Sequence, residues 1–153
     1  MFTIIRNVAF ASLALAGLAA PLFAAPADQV RTRIGAYQDL GTQFKSINDG
    51  LRSPTPQPAV LRAAVQKIRS AATQQYNWFP AGSGPQPGIK TAAKPAIWAQ
   101  TAQFRQAQNA FAAQATALER AVNGGNIAAM RSAARSLGAT CKGCHDQFRS
   151  DEK

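Results

Sequence analysis

From residue 28 onward, apolar positions recur at spacings of three and four. Val30, Ile34, Tyr37, Leu40, Phe44, Ile47 and Leu51 fall on one helical face, with Arg31, Gln38, Lys45 and Asn48 off it. The pattern predicts a helix over 28–51, with Asp28 as its N-cap. It ends before Ser53-Pro54-Thr55-Pro56-Gln57-Pro58, because proline lacks the N–H a helix interior needs and favours an extended connection. Pro58 suits the first position of a second helix, whose apolar side is Leu61, Val65, Ile68, Ala72 and Tyr76. That helix stops around Trp78-Phe79-Pro80. The segment 80–94 is rich in Gly and Pro, and a loop of this length is expected to pack on something or cover a site. Pro95 opens a third helix, with Ile97, Thr101, Phe104, Gln108, Phe111, Ala115, Leu118 and Val122 as a bundle seam carrying two polar interruptions. Asn123-Gly124-Gly125 ends it, glycine supplying a left-handed cap. Asn126 caps a fourth helix, on which Ile127, Met130, Ala134, Leu137, Cys141, Cys144 and Phe148 keep the same spacing. No strand-like alternation and no internal repeat interrupts these segments. The fold class is therefore all-α, an antiparallel four-helix bundle, and 153 residues suit a single domain.

The first residues read differently. Arg6 precedes a mostly apolar run from Val8 to Leu18, followed by small residues around Pro21-Leu22-Phe23-Ala24-Ala25. This is the pattern of a cleaved secretory signal peptide over 1–24, leaving a bundle over 26–153. Cleavage after Ala25 would put Pro26 at the next position, so Ala24 is the better site. The run is shorter than the ~20 residues a membrane span requires. Export to the periplasm follows. The charge balance is 17 Lys and Arg against 7 Asp and Glu, a net +10. Such an excess can steer acidic partners or an anionic membrane surface. Nucleic acid is not expected as a partner, since the protein is exported and its basic residues are scattered.

One stretch carries the chemistry. Cys141-Lys142-Gly143-Cys144-His145 holds the only two cysteines and the only histidine of the chain. At helical spacing Cys141, Cys144 and His145 project from one side over about one turn. A zinc site would need a fourth ligand, or three and a water, and offers no explanation for the order of these three. A thioredoxin-like pair would sit at a helix N-terminus in a βαβ unit. A disulfide across three helical positions would leave His145 unexplained. Cys-x-x-Cys-His is the attachment signature of one covalent c-type haem: each thiol adds to a vinyl group, and His145 takes an axial position on the iron. The opposite axial position has no evident donor. There is no second histidine, Met1 leaves with the signal, and Met130 lies fifteen residues before His145 on the same helix, about 22 Å away at 1.5 Å per residue. A buried neutral lysine would be costly. The expectation is a five-coordinate, high-spin iron.

With these residues in place the chain resembles the cytochrome c′ family, the class II c-type cytochromes. The motif stands near the C-terminus, Pro95-Ala96-Ile97-Trp98 resembles the Pro-x-Ile-Trp that opens the family's third helix, and Val30-Arg31-Thr32-Arg33 resembles the start of its first. The resemblance implies that Arg33 lies near a haem propionate, that Tyr37 stands over the open face of the iron, and that Arg149 lies on the proximal side. It also implies a homodimer through the first two helices, for which Ala36, Leu40, Val60 and Ala64 are the spare apolar positions. Ile34 departs from the glutamine often found there, and no methionine on the first helix can act as sixth ligand, which favours the high-spin branch. Read without the resemblance, Tyr37 is core packing or a steric gate, Arg33 a solvated charge or a propionate partner, and Trp78 and Trp98 core filling or contacts to the haem edge. Two functions follow: a haem protein binding diatomic gases such as nitric oxide and carbon monoxide, or an electron carrier between redox partner proteins. No constellation for an enzyme, such as a distal His and Arg of a peroxidase, can be identified.

Overall fold

The computed structural model describes residues 26–151; the predicted signal peptide lies outside them. Four long helices form the frame: α1 (Pro26–Arg52), α2 (Pro58–Gln74), α4 (Thr101–Asn123) and α5 (Ile127–Phe148), with a four-residue α3 (Ala96–Ala99) ahead of α4 and a 3₁₀ turn (Gln75–Asn77) after α2. α1 packs on α2, α2 on α4, and α4 on α5, while α5 closes back on α1 through a thinner contact. No strand occurs among the described residues.

The hydrophobic seams produce this arrangement. Ile47, Leu51, Leu61, Val65, Ile68, Phe111, Leu118, Val122, Met130 and Leu137 form a main core toward one end of the bundle. Each such side chain contributes about 1.5–3 kcal/mol on burial. A second, aromatic cluster at the other end gathers Ile97, Phe104 and Phe148, with Phe79 and Trp98 packed against them. Asn126 caps α5 as expected, its side-chain oxygen accepting from the Ala129 N–H at 3.0 Å. Gly125 takes the left-handed conformation after α4, at φ 73°.

Four expectations are corrected. α1 begins by Pro26, so Asp28 is a first-turn residue paired with Arg31 rather than an N-cap. Ile34 is 40% exposed while its neighbour Arg33 is 3% exposed: the seam runs through Arg33, whose guanidinium is drawn inward by oxygen acceptors described below. The third helix is broken at Gln100 (φ −119°, ψ 52°), and Ile97 before the break joins the aromatic cluster together with Phe104 of α4 after it. Ala64 belongs to the core and is not a spare surface position. Of the two polar interruptions in that seam, Thr101 is exposed, whereas Gln108 is buried and satisfied. Its amide donates to the Gln75 carbonyl at 3.0 Å, and the Gln75 amide returns a bond to the Gln108 carbonyl at 3.1 Å. Exchanging donors in this way removes the penalty of burying two amides.

Candidate functional site

Cys141 and Cys144 sit three residues apart on the inner side of α5, but they face different neighbours. Cys141 packs against the main core, and Cys144 against the aromatic cluster. The thiols thus straddle the junction between the two. α5 can approach α1 here because Gly138, one turn earlier, has no side chain: a Cβ would lie 3.3 Å from Phe44 Cζ. Both thiols are free. Burial pushes the Cys141 thiol up and the Cys144 thiol to about 11, with Cys141 adding to the second shift. Burial therefore disfavours the thiolate form at both positions. Among the described residues no three His, Cys, Asp or Glu side chains gather as a metal-ion site.

His145 lies on the rim of this face and is exposed. Partial burial lowers its pKa, the Arg149 cation lowers it further, and Asp146 opposes both. Arg149 follows the last residue of α5, and its N–H donates to the His145 carbonyl at 3.0 Å. The sequence places Arg149 beside His145, and the two are neighbours.

Across from α5, Tyr37 on α1 is half-buried. Burial drives its phenol pKa up, and the Cys144 and Cys141 thiols face it closely enough to oppose its ionisation further, while Arg33 favours it. The neutral hydroxyl is therefore the only form present at physiological pH. Tyr37 meets Trp78 edge-on at 4.8 Å and Phe79 at 6.1 Å. Phe79, Phe104 and Phe148 then continue edge-to-face at 4.8 and 5.1 Å. Trp78, read from the sequence as core filling or a haem-edge contact, and Phe79, read as the end of a helix, form the wall joining Tyr37 to the cluster that holds Cys144.

Arg33 reaches under this wall. Its guanidinium lies 4.6 Å from the Phe79 ring centre. It donates to Ser83 Oγ and the Ser83 carbonyl, both at 3.0 Å, to Thr91 Oγ1 at 3.0 Å, and to the Trp78 carbonyl at 3.3 Å. All four partners are neutral. Burial lowers the Arg33 pKa, though a guanidinium remains charged at any physiological pH. The 80–94 loop is thereby pinned to α1. Its far end is pinned to α5, where Lys94 N–H donates to the Phe148 carbonyl at 2.9 Å and Ser150 N–H to the Ala92 carbonyl at 2.8 Å. The loop was expected to cover something, and it ties the Tyr37 side of the junction to the His145 side. Nothing in the sequence marked Ser83 or Thr91: single hydroxyls in a Gly- and Pro-rich loop look like turn residues.

These residues fit a haem. Two inward thiols stand beside an imidazole. An aromatic cluster packs against Cys144, and a buried cation has only neutral partners, to which a propionate would add a carboxylate.

The comparisons with known proteins agree. The cytochrome c′ family model matches residues 28–149. The cytochrome c′ of Alcaligenes xylosoxydans xylosoxydans is 30% identical over 128 residues, covering 83% of this chain and 97% of the relative. That of Rubrivivax gelatinosus is 31% identical over 128 residues, covering 83% and 98%. Among solved structures, the cytochrome c′ of Thermochromatium tepidum superposes with a TM-score of 0.78 at 26% identity, covering 84% of this chain and 98% of that one. A nitric oxide complex of a mutant cytochrome c prime from Alcaligenes xylosoxidans gives 0.77 at 28% identity, covering 85% and 99%. Four helices in this order, matched by the family over nearly all the described residues, leave one conclusion: the chain belongs to the cytochrome c′ family, whose cofactor is a covalently bound c-type haem.

Proposed function

We propose that the chain is an exported, periplasmic c-type cytochrome that binds small gases and exchanges electrons, without being an enzyme. In this reading residues 1–24 are the cleaved signal, Cys141 and Cys144 hold one haem c on α5, and His145 is its axial ligand. The observation that carries it is the Cys141-x-x-Cys144-His145 order on α5, with both thiols on its inner side, in a chain of the cytochrome c′ family. The candidate thioether, Met130, is buried in the main core near the opposite end of α5. When bound, the haem supplies an iron that exchanges one electron and holds a small ligand on its open face. Tyr37, Trp78 and Phe79 crowd that face and admit only small ligands. A neighbour's structure with nitric oxide supports the same class of ligand. Arg33 offers its remaining donor capacity to a propionate, and Arg149 lies on the proximal side.

An optical spectrum tests this reading. A high-spin ferrous spectrum that changes on adding carbon monoxide is expected. A low-spin spectrum unmoved by carbon monoxide would reject it and imply a sixth ligand. Crowding by a residue over the ligand position costs about 1–3 kcal/mol, so Tyr37→Ala is expected to speed carbon monoxide binding by about ten- to a hundredfold. Tyr37→Phe, which keeps the ring and drops the hydroxyl, separates shape from hydrogen bonding. Unchanged association rates in Tyr37→Ala would remove Tyr37 from the gate.

The homodimer reading rests on Ile34 and Val60, at 40% and 50% exposure the large exposed apolar side chains among the described residues, one on each of the first two long helices. Sedimentation of the haem-loaded protein is expected to give twice the chain mass, and Val60→Glu to shift it toward the monomer. A monomer at all concentrations would end that reading.

A further inference from the structure

The outer face of α5 carries a line of cations. With 3.6 residues per turn, Arg131, Arg135 and Lys142 fall within about 40° of arc on one side of the helix, spread over about 17 Å of its length, and Arg149 follows just past its end. All four are exposed. Arg131 is held in place by two bonds to the Leu51 carbonyl, at 3.1 and 2.8 Å. Lys142 pairs with Asp146 at 2.6 Å, and Lys94 Nζ donates to the Asp146 carbonyl at 3.1 Å, bringing a fifth cation to the edge of the line. Asp146 is the one carboxylate along it, with Asp151 just beyond its end. His145 lies between this line and the buried face.

We propose that this stripe docks an acidic protein, and that the partner is a redox partner, because the stripe would bring an anionic surface beside His145, the residue that would hold the haem iron. The inference rests on the electron-transfer reading above. Charge complementarity chooses the occupant: the cations run straight along one helix with no exposed large apolar side chain among them, so the surface favours rapid, salt-sensitive encounter over a permanent interface.

The test compares two double charge reversals of equal net charge. Arg135→Glu with Lys142→Glu breaks the stripe. Arg62→Glu with Lys67→Glu changes exposed residues of α2, which makes no contact with α5. In the oxidation step the ferrous haem protein gives one electron to hexacyanoferrate(III), yielding ferric protein and hexacyanoferrate(II). At low ionic strength the α5 reversal is expected to slow this step about tenfold, the α2 reversal much less, and high salt to erase the difference. Calorimetry with a poly-glutamate peptide is expected to show binding to the unmodified protein and the α2 variant, and its loss in the α5 variant. Equal effects of the two reversals, or no binding of poly-glutamate by the unmodified protein, would overturn the stripe alone. Tighter binding of phosphatidylglycerol vesicles through the same residues would overturn the protein partner in favour of a membrane. Failure of hexacyanoferrate(III) to oxidise the unmodified ferrous protein would overturn the electron-transfer reading and the docking proposal together.

Discussion

A chain with both Cys141→Ser and Cys144→Ser is expected to carry no haem through denaturation. The unmodified protein should give one haem-stained band of chain mass on a denaturing gel, and the double variant none. The reason lies in how retention depends on concentration. A non-covalent haem stabilises the bundle only to the extent that its free concentration exceeds its dissociation constant, whereas two thioethers make retention independent of dilution. The two thiols are also not equivalent. Cys141 packs on the main core and Cys144 on the aromatic cluster, so each attachment would tie the cofactor to a different half of the interior. Either single variant keeps one attachment and is expected to retain haem with a shifted pyridine haemochrome band, since one vinyl group stays unsaturated. With no haem between them, the two clusters lose a shared packing surface, and the double variant is expected to melt at a lower temperature with a broader transition. Haem still covalently bound in the double variant would remove both cysteines from the site.

The bundle was legible because its signals are local and repeated. A seam at spacings of three and four, prolines at helix starts and Gly125 after α4 each act within a few residues, and together they leave few alternatives. The haem motif was legible because Cys141, Cys144 and His145 have few other joint uses. What the sequence concealed depends on distant partners. Arg33 and Ile34 are adjacent, and hydropathy puts Ile34 inside. The structure puts Arg33 inside because Ser83, Thr91 and the Trp78 carbonyl supply acceptors from 45 to 58 residues away. The break at Gln100 is likewise invisible to periodicity, since Ile97 and Phe104 stay in phase across it while serving the same aromatic cluster from separate helices. Trp78 and Phe79 gave no sign of which way they face until the loop beyond them closed over Arg33.

Arg33→Leu is expected to destabilise the protein by about 3 kcal/mol, a large part of the 5–15 kcal/mol typical of a domain. Two effects compete. Burying a cation is itself expensive, and an apolar residue of similar volume can replace a buried charge at little cost or even a gain. Leucine would also keep some packing against Phe79. Against this stand four acceptors that lose their donor at once. Ser83 Oγ retains a bond, donating to the Pro80 carbonyl at 2.8 Å. The Ser83 carbonyl has no other hydrogen-bond donor among the described residues and lies where water is excluded, Ser83 being fully buried. An orphaned buried acceptor costs about 1–3 kcal/mol, and Thr91 and the Trp78 carbonyl add smaller losses because both are half-buried. The orphaned acceptors are expected to outweigh the relief of desolvation, because four hydrogen bonds and the Phe79 ring already compensate the buried guanidinium. The 80–94 loop should loosen first, so limited proteolysis is expected to cut there in the variant while leaving the four long helices whole. Arg33→Lys keeps the charge but loses the planar fork that bonds Ser83 twice, and should fall between the two. Denaturant unfolding of Arg33→Leu within about 0.5 kcal/mol of the unmodified protein, the scatter of ordinary surface changes, would show that the guanidinium network does not hold the loop.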